Sequence, residues 1–175
     1  MRAASALLIA ALAVSGCSFS ASVGGSPTSA AEELIEDDLA AQLGFGDVEA
    51  ECGEPLNEDE GSTFLCTSEC DQGLVRWEAT IVDEDRVNVQ SLNVLVDDDV
   101  LALEGAAAVE IEEVVGLPLG AENFDCGEPP VVLGDTDQLL CALTDPANGD
   151  VYDTTVTITD ASTGAFEFEI AEEPR

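Results

Sequence analysis

The sequence contains no histidine and no lysine, and its only basic side chains are four arginines. Without histidine there is no Ser/His/Asp triad, no imidazole general base and no histidine metal ligand. Without clustered lysine and arginine there is no basic patch to neutralise phosphate groups. The chain carries 38 acidic residues and a formal net charge of −34. The composition therefore excludes histidine chemistry and predicts that the protein does not bind nucleic acid.

Sequence motifs for catalysis are also missing. There is no Gly-x-Ser-x-Gly nucleophile elbow, no phosphate-binding glycine loop and no dinucleotide-binding fingerprint. Catalysis by two carboxylates needs only a well-placed pair of acids, but no spacing distinguishes one pair from the others. We therefore expect a protein that is not an enzyme and that holds no cofactor.

A short apolar stretch near the N-terminus runs from Ala3 to Val14, after the positive charge of Arg2. Spanning a bilayer takes about 20 apolar residues, so this stretch is typical of an export signal. It ends in the sequence Val-Ser-Gly-Cys, residues 14–17, where the chain resembles the lipobox of bacterial lipoprotein precursors. The resemblance implies that residues 1–16 are a lipoprotein signal peptide and that Cys17 is lipidated.

Loss of residues 1–16 would remove one arginine and no acid, which changes the net charge from −34 to −35. Residues 17–30 are then the lipidated cysteine and a flexible linker rich in serine and glycine. Each buried CH₂ of the acyl chains contributes about 0.8 kcal/mol to membrane binding. We expect the protein at the cell membrane, lipid-anchored and facing outside the cytoplasm. The alternative is cleavage by a conventional signal peptidase, with Cys17 left as an ordinary thiol.

An internal repeat follows the linker. The tetrapeptide Cys-Gly-Glu-Pro at 52–55 recurs at 126–129, and the next cysteines, Cys66 and Cys141, keep nearly the same offset. A predicted helix precedes each tetrapeptide, one from a Ser29 N-cap to Gly44 and one over 106–115. Alternating apolar residues after each tetrapeptide predict strands.

The fold class predicted from the repeat is α+β, with two tandem repeats over residues 31–98 and 104–172. Each repeat has one helix followed by an antiparallel sheet of about four strands. A unit of roughly 70 residues has a marginal core, so packing of two copies or a disulfide in each would stabilise it.

The repeat alignment also pairs four cysteines, Cys52 with Cys66 and Cys126 with Cys141. An exported protein meets a compartment where disulfides persist, and closing loops of about 15 residues stabilises each unit by around 3 kcal/mol. The alternative is four reduced, packed cysteines. Cys70 is left over, as a free thiol, an intermolecular bridge or another partner for Cys52.

Two features allow a binding role. The only tryptophan, Trp77, and the only tyrosine, Tyr152, align in the repeat at an offset of 75, as candidate binding-face aromatics or as plugs of the two cores. Three acidic clusters, at 58–60, 83–85 and 97–99, are either solvated turns or weak sites for divalent cations such as Ca²⁺. The large acid excess is also typical of adaptation to a saline environment.

Two resemblances bear on function. The lipobox, the Ser/Gly segment and a helix followed by two cysteines and a β-meander resemble small actinobacterial lipoproteins with a one-disulfide domain of unknown function. The tandem helix-plus-strands layout resembles the secreted β-lactamase inhibitor proteins, which implies a module that presents a sheet to another protein. We expect a non-enzymatic envelope module that binds a protein or peptide partner. The alternative is a cation-binding or purely structural acidic lipoprotein.

Overall fold

The structure of the chain, a computed structural model, describes residues 19–22, 25–83, 86–116, 118–134, 136–160 and 164–175. The described part is an α+β fold in which all strand pairs are antiparallel, as predicted. It divides into two compact units. The N-terminal unit comprises the described residues of 16–95 together with Pro130–Gly134, and the C-terminal unit comprises those of 96–129 and 135–175.

The N-terminal unit is built on a five-stranded sheet in the order β1-β5-β4-β3-β2. These strands are β1 (Phe19–Ser22), β2 (Ala50–Cys52), β3 (Thr63–Cys70), β4 (Gly73–Asp83) and β5 (Arg86–Ser91). The alternation read from the sequence of β4 is present, because Val75, Trp77, Ala79 and Ile81 are all buried. The residues between them are half-buried on the other face. This alternation shows which face of the sheet lies against the core.

Strand β1 corrects the prediction of a flexible linker over residues 17–30. Phe19–Ser22 pairs antiparallel with β5, with Phe19 opposite Val89 and Ser22 opposite Arg86. The sequence Phe-Ser-Ala-Ser alternates apolar and polar residues, but the alternation covers only four residues inside a segment rich in serine and glycine. These residues become a strand because β5 offers backbone hydrogen-bonding groups at its edge.

The first helix begins at Pro27, also inside the predicted linker. Ser26, not Ser29, is the N-cap: its side chain accepts a hydrogen bond from the Ser29 N–H at 3.2 Å, and Pro27 occupies the first turn. The helix continues through α1 (Pro27–Glu33), a π-helical segment (Leu34–Leu39) and α2 (Ala40–Gln42). Its apolar residues Leu34, Ile35 and Leu39 enter the same core as Trp77.

Pro130–Gly134 falls within the predicted second repeat, yet it is part of the N-terminal unit. Strand β6 (Val94–Leu95) pairs antiparallel with β8 (Val131–Val132). The Leu133 N–H donates to the carbonyl oxygen of Asn93 at 2.8 Å, and the Val132 N–H donates to the side chain of Gln72 at 3.3 Å. The chain segment that completes this unit is therefore distant from it in sequence.

The C-terminal unit contains α3 (Asp97–Val115), a 3₁₀ turn (Ala121–Asn123) and a four-stranded sheet in the order β11-β10-β9-β7. Its strands are β7 (Phe124–Asp125), β9 (Gln138–Thr144), β10 (Val151–Asp160) and β11 (Ala165–Ile170). The helix packs against β7 and the 3₁₀ turn. Its buried face consists of Val100, Leu103, Ala107, Ala108 and Ile111.

Helix α3 starts nine residues before the prediction of 106–115. Three aspartates, residues 97–99, form its first turn, where negative charge is stabilised by the helix dipole. The Asp99 carboxylate accepts a hydrogen bond from the Val96 N–H at 3.3 Å. The prediction begins too late because a run of acids between apolar segments is more typical of a loop than of a helix. The helix ends as predicted at Gly116, whose φ of 72° is left-handed.

Candidate functional site

The two predicted disulfides are present, joining Cys52 to Cys66 and Cys126 to Cys141. In each unit the first cysteine is held in the same way by a helix glutamate. The Cys52 N–H donates to Glu32 Oε1 at 3.1 Å, and the Cys126 N–H donates to Glu104 Oε1 at 2.9 Å. Each bridge thus ties the segment around the first cysteine to the strand that carries the second, β3 or β9, and the glutamate hydrogen bond ties that segment to the helix. This is a structural role.

The other two cysteines differ in what the structure says of them. Cys17, the predicted lipidation site, lies outside the described residues. Cys70 is the cysteine without a disulfide among the residues described; it is half-buried at the end of β3. Its thiol donates to the carbonyl oxygen of Gly73 at 3.4 Å across the hairpin turn.

Trp77 lies in the core of the N-terminal unit and not on an accessible face. Its exposed fraction is 1%, and its indole N–H donates to the Ser68 hydroxyl at 3.0 Å. The structure therefore favours the core role over the binding-face role for this residue. Tyr152 is half-buried at the start of β10.

The pairing of strands also corrects the alignment of Trp77 with Tyr152. Trp77 stands opposite Cys66, and the residue opposite Cys141 is Thr154. The loop between β9 and β10 is longer than the turn between β3 and β4, so the offset between the units rises from 75 to 77. A shift of two residues keeps every side chain on the same face, so the alternation in the sequence does not reveal it.

The acidic clusters have separate structural settings. Residues 58–60 are exposed in the loop before β3, and residues 97–99 form the first turn of α3. Asp83 accepts a hydrogen bond from the Arg86 guanidinium at 2.7 Å, and residues 84 and 85 lie outside the described part. Across the described ranges, no three acidic or cysteine side chains converge in a way that would hold a metal ion.

Two carboxyl groups on α3 have pKa values above their ordinary range. Burial raises the pKa of Asp99, partly opposed by the hydrogen bond from Val96 N–H. Burial and the neighbouring charge of Glu113 raise the pKa of Glu110. A raised pKa means that the charged form is less favourable in the folded state, so each group favours folding more at acidic pH, and that contribution disappears as the pH rises through its folded pKa.

The outer edge of β11, which we call the open edge, is the feature best suited to binding. Among the described residues no strand pairs with it, so β11 ends the sheet. The Ala171 N–H donates to the Asp153 carbonyl oxygen on β10 at 2.8 Å. Antiparallel pairs alternate between hydrogen-bonded and non-hydrogen-bonded positions, so Glu167 and Glu169 also bond to β10. The backbone groups of the alternate residues point away from the sheet.

The residues that turn their backbone outward at the open edge are Phe166, Phe168 and Ile170. Their side chains share the face of the sheet that carries the buried Val156, yet all three are only half-buried. In the N-terminal unit, Val87 and Val89 of β5 are 2% and 0% exposed, and β5 carries β1 along its edge. The open edge therefore combines unpaired backbone groups with apolar surface that remains accessible.

No helix among the described residues is long and apolar enough to cross a bilayer. No protein-family model matches the sequence, and comparisons with curated proteins and with solved structures return no match.

Proposed function

We propose that this protein is a non-enzymatic, lipid-anchored module of the cell envelope that binds an extended segment of a protein or peptide partner outside the cytoplasm. The membrane is engaged through the lipid on Cys17, and no nucleic acid or cofactor takes part. The open edge of β11 is the observation that carries the binding role. A strand whose outer side has no partner among the described residues, and whose apolar side chains are accessible, is a template for another strand.

The compartment is supported by two independent features. The two disulfides are typical of proteins that mature in an oxidising environment. The lipobox resemblance at residues 14–17 places an anchor at the start of the mature chain. Both point away from the reducing cytoplasm.

We further infer that residues 31–98 and 104–172 are two copies of one unit. Each unit has a disulfide that joins its Cys-Gly-Glu-Pro segment to the next long strand, β3 or β9. In each, a helix glutamate also accepts a hydrogen bond from the first cysteine N–H, and the hairpin that follows contains a bulge. The bulges fall between Ile81 and Asp83 and between Ile158 and Asp160. Recurrence of the same irregularity supports duplication more strongly than a shared strand order does, because bulges mark defined positions in a sheet.

A selection experiment tests the binding role. The full chain carrying Cys17→Ser, purified with its disulfides intact and immobilised, is exposed to a phage-displayed library of random peptides. We expect enrichment of peptides with apolar residues at alternate positions, since only extended peptides present that period to a sheet. The same protein after reduction and alkylation serves as the unfolded control. Equal enrichment on both preparations, or none on either, would contradict the proposal.

The acidic surface is proposed to be an adaptation to high salt. The net charge of −34 makes the chain repel itself at low ionic strength. At about 1 M salt the Debye length is roughly 3 Å, so this repulsion is screened. We expect the melting temperature, followed by circular dichroism, to rise steadily as NaCl increases from the millimolar range to about 1 M. A melting temperature that does not change with NaCl would rule out the adaptation.

A further inference from the structure

We propose that the open edge of β11 binds an extended segment of a partner protein in which apolar residues alternate with basic ones, added as a fifth, antiparallel strand. This inference rests on the proposed function and specifies its site and the chemistry of its partner. Four observations carry it: the direction of the backbone groups of β11, the corresponding edge of β5 in the N-terminal unit, the accessible apolar face of β11 and the charge beside the open edge.

The backbone of β11 is already arranged as a template. Phe166, Phe168 and Ile170 occupy the non-hydrogen-bonded positions opposite β10, so their N–H and C=O groups point to the outside of the sheet. A strand that approaches from this side can bond to all three residues without disturbing a bond inside the sheet. Side chains of the incoming strand opposite these positions would lie on the apolar face.

The N-terminal unit shows what such an added strand looks like. Strand β5 is bonded to β4 in the same phase, because the Leu92 N–H donates to the Arg76 carbonyl oxygen as Ala171 N–H does to Asp153. On the outer edge of β5 lies β1, with Phe19 opposite Val89 and Ala21 opposite Val87. Counting from these matching hydrogen bonds, Val87 and Val89 correspond to Phe166 and Phe168.

By this correspondence, an incoming strand would place apolar residues opposite Phe166 and Phe168. The two pairs would extend the apolar face of the sheet beyond Val156. Because Phe166 and Phe168 are half-buried whereas Val87 and Val89 are buried, the C-terminal unit has surface still to cover. Burial of that surface favours addition of a strand.

The charge beside the open edge determines which polar side chains the partner carries. Between the apolar positions β11 carries Glu167 and Glu169, both exposed on the opposite face. At the outer edge of β5, the residue that corresponds to Glu167 is the neutral Asn88, which lies opposite Ser20. Opposite charges in directly paired strand positions attract and like charges repel. A second copy of this chain would place glutamates against glutamates, so the edge favours arginine or lysine from another protein.

The first test uses a short synthetic peptide that alternates valine and arginine, blocked at both ends, and measures its affinity by calorimetry at moderate salt. A scrambled peptide of the same composition controls for attraction between a cation and an acidic protein. We expect the alternating peptide to bind about tenfold more tightly than the scrambled one. Equal affinity for both would overturn the inference.

Variants of the full chain carrying Cys17→Ser locate the site. Glu167→Lys reverses one charge beside the open edge, and Glu113→Lys reverses an exposed charge on α3 of the same unit. We expect Glu167→Lys to weaken the alternating peptide about fivefold or more and Glu113→Lys to change its affinity by much less. An equal loss in both variants would show that the peptide responds only to net charge, which contradicts the inference.

Amide hydrogen exchange gives a readout of the backbone that does not depend on charge. Binding should slow exchange at the N–H groups of Phe166, Phe168 and Ile170, which point outward, more than at Glu167 and Glu169, which already bond to β10. If peptides are enriched in the selection but protect other residues, the binding role stands and this site is wrong. If the selection enriches none and the alternating peptide does not bind, both proposals fail.

Discussion

Replacement of Asn93 by alanine is expected to destabilise the N-terminal unit by about 3 kcal/mol or more. Asn93 is 2% exposed and follows β5. Its side-chain oxygen accepts a hydrogen bond from the Arg76 N–H at 2.8 Å. Its amide nitrogen donates to the carbonyl oxygens of Leu74 at 2.9 Å and Leu133 at 2.8 Å.

The large effect follows from the location of the three partners. Each is a backbone group that would lose its hydrogen bond, at a buried position for Leu133 and at part-buried positions for Arg76 and Leu74. Such a loss costs roughly 1–3 kcal/mol where water does not replace the partner. Leu133 belongs to the segment Pro130–Gly134, which contacts this unit from far along the chain. The substitution therefore weakens both the start of β4 and the attachment of that segment.

Urea denaturation followed by tryptophan fluorescence measures this prediction, because the only tryptophan of the chain is Trp77 in the same unit. Asn88→Ala is the matched control, since Asn88 lies half-buried on the outer face of β5. We expect the control to lose less than about 1 kcal/mol. If the two variants have the same midpoint and slope, the side chain of Asn93 does not have the role described here.

Truncation of Trp77 to alanine is expected to cost about 3–5 kcal/mol, the usual range for a fully buried aromatic side chain. The indole fills the space between the sheet and the helix residues Ile35 and Leu39, which belong to the same cluster. Its N–H also satisfies the buried hydroxyl of Ser68. Trp77→Phe should lose less, because it keeps most of the apolar volume and leaves only that hydroxyl without its donor.

Thr154 provides a contrast at the matching position of the C-terminal unit, opposite Cys141. It is 0% exposed, and its hydroxyl has no hydrogen-bond partner among the described residues. We expect Thr154→Val to be neutral or stabilising by about 1 kcal/mol, because a buried hydroxyl without a partner opposes folding. Urea denaturation followed by far-ultraviolet circular dichroism compares the stability of the variants Trp77→Ala, Trp77→Phe and Thr154→Val with that of the original chain. A Trp77→Ala midpoint equal to that of the original chain would contradict the core role.

Sequence reasoning succeeded where the signal is local. The alternation of β4 lies within one strand, and the two disulfides were read from cysteines about 15 residues apart. The ends of both helices were marked by Gly44 and Gly116, which have left-handed φ values of 72°. Each of these signals depends on neighbours in the chain, so no knowledge of the rest of the fold is needed.

Other errors arise where strand pairing or loop length, and not the local pattern of residues, decided the outcome. Residues 19–22 are a strand because β5 is there to pair with them. Pro130–Gly134 leaves the repeat in which the sequence places it, because Asn93 and β6 offer it hydrogen bonds. Trp77 and Tyr152 were aligned by counting residues, whereas the lengths of two hairpin loops set the register.

By itself, then, the sequence determined the charge, the absence of histidine chemistry, the cysteine pairing and the α+β class, which follow from composition, from short-range period or from the internal repeat. Only the tertiary structure decided which of the two corresponding strands, β5 or β11, has another strand along its outer side. Strands β5 and β11 both alternate in sequence, and the difference between them is whether another strand lies alongside. Pairing of that kind joins residues far apart in the chain, and no local pattern of side chains records it.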